Sequence, residues 1–477
     1  MTSAPSPTRR RVLQAAATAP LLAGPAAAQA PRRAPNIVFI LADDLGYADV
    51  GCYGAPDIKT PAIDRLAAEG VRFTQAYANS AVCSATRCAL ITGRYQYRLR
   101  VGLEEPLDRA VYTGLPPSHP TLPSILKKAG YRTALVGKWH LGDPPNYGPE
   151  KSGYDTFWGI LGAGVDYFGH DTGGKPDLYN GTEPIAEAGY LTDLIGDHAL
   201  GLLSGYALEP KPFFLSLHFT APHWPWEGPD SQAESARLKG KSLADFDGGS
   251  RDVFRAMVER MDYQIGRVLQ LIDAMGAADN TIVVFTSDNG GERFSDTWPF
   301  TGKKTELLEG GLRIPSVVRW PGRLSKGAVS EQVNISMDWF PTLLSAAGTA
   351  PDRAYPTDGI DLLPHLTTGA VLEPRQLFWR YKANYQRAVR DGDWKALKIQ
   401  DNSFLFNLAQ DPLERANLKD REPAIFQRLV KDWNLWNRLM LPEVHESFTE
   451  GFTGAELADH YGAATPKVGV DETDWPK

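Results

Sequence analysis

The sequence predicts an α/β protein, with a large, mostly parallel sheet covered by helices on both faces and a smaller C-terminal antiparallel α+β subdomain. Three observations predict it. Short, wholly apolar, β-branched runs such as "NIVFIL" (36–41) and "TIVVF" (281–285) read as strands buried on both faces. Strand-like runs alternate with helix-patterned segments, as crossover helices over a parallel sheet require. After about residue 365 the pattern changes to hairpins.

The first thirty residues stand apart. Arg9, Arg10 and Arg11 precede an Ala/Leu-rich stretch, broken by Pro20 and Pro25, that ends in Ala28-Gln29-Ala30. This reads as an export signal cleaved after Ala30, too short and interrupted for a membrane span. Thr8-Arg9-Arg10-Arg11-Val12-Leu13 looks like a twin-arginine signal, which implies export of a folded bacterial protein to the periplasm or beyond by the twin-arginine machinery. No cysteine follows the apolar stretch, so no lipid or other stable membrane anchor is expected. The expected layout is 1–30 signal, 31–370 large α/β domain, 371–440 α+β subdomain and 441–477 a tail without clear periodicity.

Within the large domain, "TPAIDRLAAEG" (60–70) reads as a helix with Thr60 at the N-cap, Pro61 at N1 and Gly70 at the stop. "TLPSILKKAG" (121–130) repeats that design. Residues 131–142 and 211–229 each read as a strand followed by a loop, and 251–276 as a long amphipathic helix. Gly162-Ala163-Gly164 lacks dinucleotide-binding spacing and reads as loop. In the subdomain, 386–400 reads as a hairpin turning at Asp391-Gly392, 403–408 as a strand and 422–440 as a helix.

The 477 residues carry 50 Lys and Arg against 57 Asp and Glu, a formal −7. Losing residues 1–30 removes three Arg and no acid and takes this to −10. No basic run follows the N-terminus, which argues against nucleic acid as a partner. Three cysteines make no disulfide framework. Cys52 and Cys88 either pair or stay free.

Cys83 is different. "CSATRCALITGR" (83–94) reads as a helix start, with Gly93 as its stop. Cys83 and Arg87 are four apart and share one face. The thiol lies where helix amides favour negative charge. Chemically loaded residues also follow four predicted strands: Asp43 and Asp44, Lys138 and His140, His223, and Asp288 and Asn289. Ligands of parallel sheets bind at such carboxyl ends. Asp43, Asp44, Asp288 and Asn289 are hard oxygen donors suited to Ca²⁺, with Mg²⁺ second. Lys138, His140, His223 and one of Lys303 and Lys304 suit an anionic group whose charge grows in the transition state.

From about Pro35 to Met440 the chain resembles the sulfatase family. Cys83-Ser84-Ala85-Thr86-Arg87, running on to Ile91-Thr92-Gly93-Arg94, is similar to the family signature. "LADDLGYADVGCYG", "TPAIDRLAAEGVRFTQAYAN", "VGKWHLG", "TAPHWP", "TSDNGG" and "LEGGLRIP" follow in the family's order. The residue two after the Cys is usually Pro in the family and is Ala85 here, a known variant. The resemblance implies that a formylglycine-generating enzyme oxidises Cys83 to formylglycine, whose hydrate has one hydroxyl to attack sulfur and another whose proton loss expels sulfate.

Asp43, Asp44, Asp288, Asn289 and modified Cys83 would then ligate the metal. Arg87 would hold the modified side chain. Lys138 and one of the two lysines would bind sulfate, Lys304 matching the spacing from Glu309-Gly310-Gly311 better. His140 would act as base on the diol, and His223 or Lys304 would protonate the leaving alcohol.

The implied activity is sulfate ester hydrolysis on an aryl sulfate or sulfated sugar. Two alternatives stay open: a phosphonate monoester or phosphodiester hydrolase of the same superfamily, and a non-catalytic binding protein if Cys83 is unmodified. Residues 153–171 are similar to the arylsulfatase B-like branch, whose members include enzymes of sulfated amino sugars. Trp224, Trp226 and Trp298 fall in loops near the expected site, to stack on a ring or to pack.

Overall fold

The computed structural model describes residues 1–2, 33–241, 243, 248–452, 466–470 and 475. The expected export signal, its twin-arginine stretch and the cleavage point after Ala30 lie outside the described residues.

A ten-stranded mixed sheet forms the spine. Its five central strands are, in spatial order, Thr281–Ser287, Asn36–Ala42, Phe213–His218, Arg132–Lys138 and Thr156–Ile160. These five are parallel to one another. Antiparallel pairs flank these five: Ser316–Arg319 pairs with Thr281–Ser287, and the short Tyr179–Asn180 strand pairs with Thr156–Ile160. The sheet is therefore mostly parallel, as the apolar runs predict.

The alternation of side chains explains why those runs have no polar face. Val38, Ile40 and Ala42 point into one core, beneath helices Leu191–Tyr206 and Arg251–Ala274. Ile37, Phe39 and Leu41 point into the other, beneath helices Leu122–Lys128 and Trp339–Ala346. Both faces are dry, so both must be apolar.

Helix starts show where local pattern suffices and where it does not. Thr121 caps its helix through the Ser124 amide, and Ser124 Oγ accepts from the Thr121 amide in return. Thr60 precedes its helix as expected but does not cap it. Its hydroxyl accepts from the Gly51 amide at 2.8 Å and donates to Asp64 at 3.2 Å. The free Ala62 and Ile63 amides are taken instead by Asp262 of the long helix, at 3.0 and 2.8 Å.

The second sheet has four antiparallel strands: Gln376–Tyr381, Gln386–Asp391, Trp394–Ile399 and Asn402–Asn407. The expected hairpin turns at Gly392, whose φ of 58° suits glycine. The first strand, 376–381, was not anticipated. Helix Pro423–Asn437 packs on this sheet, and Trp433, Trp379 and Trp475 share its core. That core also takes Val82, Ala85 and Ala89, so the helix carrying Cys83 is gripped between the two sheets. Small Ala85 suits that close packing. Cys52 and Cys88 are both free. No helix among the described residues is long and apolar enough to cross a membrane.

Candidate active site

Four neighbouring parallel strands open their carboxyl ends at one edge. Asp43 and Asp44 follow Asn36–Ala42, and Asp288 and Asn289 follow Thr281–Ser287. Lys138 ends its strand, His140 lies two residues on, and His223 follows Phe213–His218 after a loop. Helix Cys83–Thr92 meets this edge with its first turn. Close backbone approaches shape the rim: a Cβ on Gly290 would lie 1.9 Å from the Gly310 carbonyl oxygen, so the "TSDNGG" and "LEGGLRIP" segments touch through glycines.

The structure brings together every residue of the expected set. Arg87 donates through Nε and Nη2 to Asp288 Oδ2 at 3.1 and 2.8 Å, and through Nη1 to the Lys138 carbonyl at 3.2 Å. Lys138 Nζ donates to Asp43 Oδ2 at 2.5 Å. Lys304 Nζ donates to Asp44 Oδ2 at 2.9 Å and lies 3.4 Å from His223 Nε2. Asn289 Nδ2 donates to Asp44 Oδ1 at 2.7 Å. Lys304, and not half-buried Lys303, enters the cluster. Cys83 is fully buried, with its sulfur in a group with Asp43 and His223 that spans no more than 4.8 Å.

Arg87, Lys138 and Lys304 face Asp43, Asp44 and Asp288, and all six are at most 2 % exposed. The histidines add no resting charge. Burial, then Lys138, lowers His140 well below its ordinary range, and burial with Lys304 does the same to His223. Both are neutral at rest, so the cationic set is two lysines and Arg87. Three cations thus face three carboxylates, yet the carboxylates differ. Burial and the Asp288 carboxylate push Asp43 well above the ordinary carboxylate range, against Lys138 and Arg87. Asp44 behaves oppositely: burial would raise it, but Lys304 and the Asn289 amide bring it to about 2.

A divalent cation fits this donor set. Oxygens of Asp43, Asp44 and Asp288 lie within 4.8 Å of one another. Asp43 Oδ1 and Asn289 Oδ1 are buried acceptors with no hydrogen-bond partner. A buried acceptor left unmade costs about 1–3 kcal/mol, which a cation would relieve.

Sequence reasoning missed His218. It ends its strand with Nδ1 3.2 Å from the Lys138 carbonyl and 3.5 Å from Arg87 Nη1. Its place at a central strand end was the available signal. Of the three tryptophans, Trp226 packs in the core against Phe294 and Trp224 leans on the His223 ring. Trp298 is exposed.

Buried carboxylates against buried lysines at the strand ends of this α/β fold suit an enzyme that acts on an anionic, tetrahedral group. A family model described as Sulfatase matches residues 35–349. N-acetylgalactosamine-6-sulfatase of Rattus norvegicus is 36% identical over 397 residues, 78% of this chain and 72% of that one. Human arylsulfatase A is 33% identical over 453 residues, 86% of this chain and 84% of that one. A solved structure of Ps i-CgsB in complex with k-i-k-neocarrahexaose superposes with a TM-score of 0.78 at 29% identity, covering 90% of this chain and 98% of that one. The chain belongs to the sulfatase family and is a sulfatase, an enzyme that hydrolyses sulfate esters.

Proposed function

We propose that the enzyme removes sulfate from a sulfated saccharide, using formylglycine made from Cys83 and a divalent cation, Ca²⁺ before Mg²⁺, held by Asp43, Asp44, Asp288, Asn289 and the modified residue 83. The observation that carries this reading is the pair of unpartnered buried acceptors, Asp43 Oδ1 and Asn289 Oδ1, beside the helix-start cysteine. When bound, the cation polarises the sulfate oxygens and offsets the three carboxylates. Burial pushes the unmodified thiol up to about 12 against the pull of Lys138 and Lys304.

The surrounding side chains divide the remaining work. Lys138 and Lys304 bind the sulfate oxygens. Arg87 holds Asp288 and the Lys138 carbonyl in place. His140 donates from Nε2 to the Leu107 carbonyl at 2.9 Å, which leaves Nδ1 as the acceptor for the nucleophile's proton. Burial would lower Lys304, but Asp44 and Glu450 hold it well above its usual value, so it carries a proton. His223 Nδ1 donates to the Trp224 carbonyl, so its Nε2 faces Lys304 as an acceptor at 3.4 Å, and Lys304 is the proton donor to the leaving oxygen.

The saccharide reading rests on the names of the relatives and on a recess of about 130 Å³ lined by Leu107, Arg109, Tyr112, His140 and Tyr147. Exposed Tyr112 packs edge-on to Tyr147 with centroids 6.3 Å apart, an amphipathic wall for a sugar ring. N-acetylgalactosamine 6-sulfate is the first candidate. The test is kcat/KM for that sugar against an aryl sulfate, and for a matched aryl phosphonate monoester and phosphodiester. A preference above about tenfold, or ~1.4 kcal/mol, for either phosphorus ester would reverse the assignment. Export by the twin-arginine route is part of the same proposal, and N-terminal sequencing of the mature enzyme should begin at Pro31.

A further inference from the structure

The segment after Met440 has no periodicity in the sequence, and its first described stretch, 441–452, contributes no named helix or strand. Residues 441–450 are nevertheless tied down. The Leu441 amide donates to the Tyr97 carbonyl at 2.9 Å, and the Leu441 carbonyl accepts from Arg380 Nη2 at 2.6 Å. The buried Lys382 ammonium donates to the Val444 carbonyl at 3.4 Å, to the Ser447 hydroxyl at 2.6 Å and to the Ser447 carbonyl. The segment then runs alongside residues 104–105. The Phe448 amide donates to Glu104 Oε2 at 2.7 Å, and the Phe448 carbonyl accepts from the Glu105 amide at 3.1 Å. The Glu450 amide donates to the Glu105 carbonyl at 2.7 Å. The Thr449 hydroxyl and the Lys382 amide donate to Glu105 Oε2 at 3.1 and 3.0 Å.

Two residues beyond Glu105 the chain reaches the reacting groups. The Leu107 amide donates to Ser84 Oγ at 2.7 Å, next to Cys83, and the Leu107 carbonyl accepts from His140 Nε2. His140 itself has a φ of 61°, and its Nδ1 is buried without a partner. Segment 104–107 therefore has the C-terminal segment on one side and the base and the nucleophile's helix on the other.

We infer that residues 441–450 are a positioning element for sulfate ester hydrolysis: by clamping Glu105 they hold the Leu107 carbonyl that selects the His140 tautomer and the Leu107 amide that holds Ser84 beside residue 83. The inference rests on the proposed roles of His140 and Cys83. Misplacement of a catalytic group by an ångström costs on the order of 100-fold in rate. Glu105→Leu removes the acceptor, Glu105→Gln keeps one, and Thr449→Val removes a single donor and is the milder variant should Glu105→Leu not fold.

The experiment measures kcat and KM of these three enzymes, and of His140→Ala, on one sulfate ester, well below their unfolding midpoints. Glu105→Leu should lose about 10–100-fold in kcat and Thr449→Val about threefold, with KM within twofold, while Glu105→Gln recovers most of the loss. If His140→Ala is dead but Glu105→Leu and Thr449→Val turn over like the wild type, the clamp has no positioning role. If His140→Ala keeps full turnover, the reading of the site beneath the inference falls with it.

Discussion

Two buried ionic clusters among the described residues invite comparison, because they hold their charges differently. The first is the strand-end site. The second joins the two sheets: Lys395 Nζ bridges Glu309 at 2.9 Å and Glu414 at 2.8 Å, and Glu309 also takes the Tyr77 hydroxyl at 2.5 Å and Arg313 at 2.9 Å. Glu414 closes the ring by accepting from the Glu309 amide at 2.6 Å. Here two carboxylates share one lysine, and the oxygen without a hydrogen bond, Glu414 Oε1, still faces Lys395 Nζ as an ion pair. In the first cluster, Asp43 Oδ1, Asn289 Oδ1 and His140 Nδ1 are left over. Both clusters draw on family-like motifs, "TSDNGG" for one and "LEGGLRIP" for the other. Conspicuous charge therefore does not separate a catalytic cluster from a structural one. The gathering of three carboxylates within 4.8 Å of one another, beside two oxygens that no protein group meets, marks the first.

That contrast sets the mutations apart. Cys83→Ala should lower kcat by about 10⁴-fold or more while leaving the unfolding midpoint close to that of the wild type. Mass spectrometry of the wild-type peptide should show an aldehyde or its hydrate at position 83, and an active enzyme with an intact thiol there would end the formylglycine mechanism. Asp288→Ala should lose the cation and about 10³-fold in activity together, since the cation supplies several kcal/mol of charge stabilisation. Elemental analysis of the wild type should find one Ca²⁺ per chain, and stoichiometric zinc on which activity depends would overturn the donor-set argument.

Lys395→Met should do the reverse. It leaves Glu309 and Glu414 buried without their shared cation and should cost about 3–5 kcal/mol of stability, read by denaturant unfolding. At a temperature where the variant is folded, its kcat should stay within about threefold of the wild type. A large loss of kcat without loss of stability would erase the distinction between the clusters.

The smallest effect tests a buried acid outside both. Burial pushes Glu227 up to about 8, against the hydrogen bond from the Tyr167 amide. Its neutral form is favoured in the fold, while the unfolded chain ionises near 4.5. It therefore costs stability increasingly as pH rises from about 4.5 to 8, and the cost levels off above that. Glu227→Gln should flatten the fall in unfolding midpoint across this window. An unchanged pH profile would show that Glu227 is ionised in the fold.

Sequence alone determined the parallel sheet, because a strand covered on both faces must be apolar throughout, and "NIVFIL" and "TIVVF" show that locally. It determined the strand-end chemistry for the same reason: Asp43, Lys138 and Asp288 stand where an apolar run stops. The start and stop of the Cys83 helix were likewise legible in a dozen residues, with Gly93 reaching a φ of 68° at its end. Tertiary structure decided the rest. It chose Lys304 over its neighbour, kept Cys52 and Cys88 unpaired, spent Glu309 on a structural ring, and set Thr449 against Glu105 across 344 residues of chain. Periodicity records which face of a segment is dry. Which distant polar groups meet depends on sheet register and on how two cores close around one helix, and no single segment carries that information.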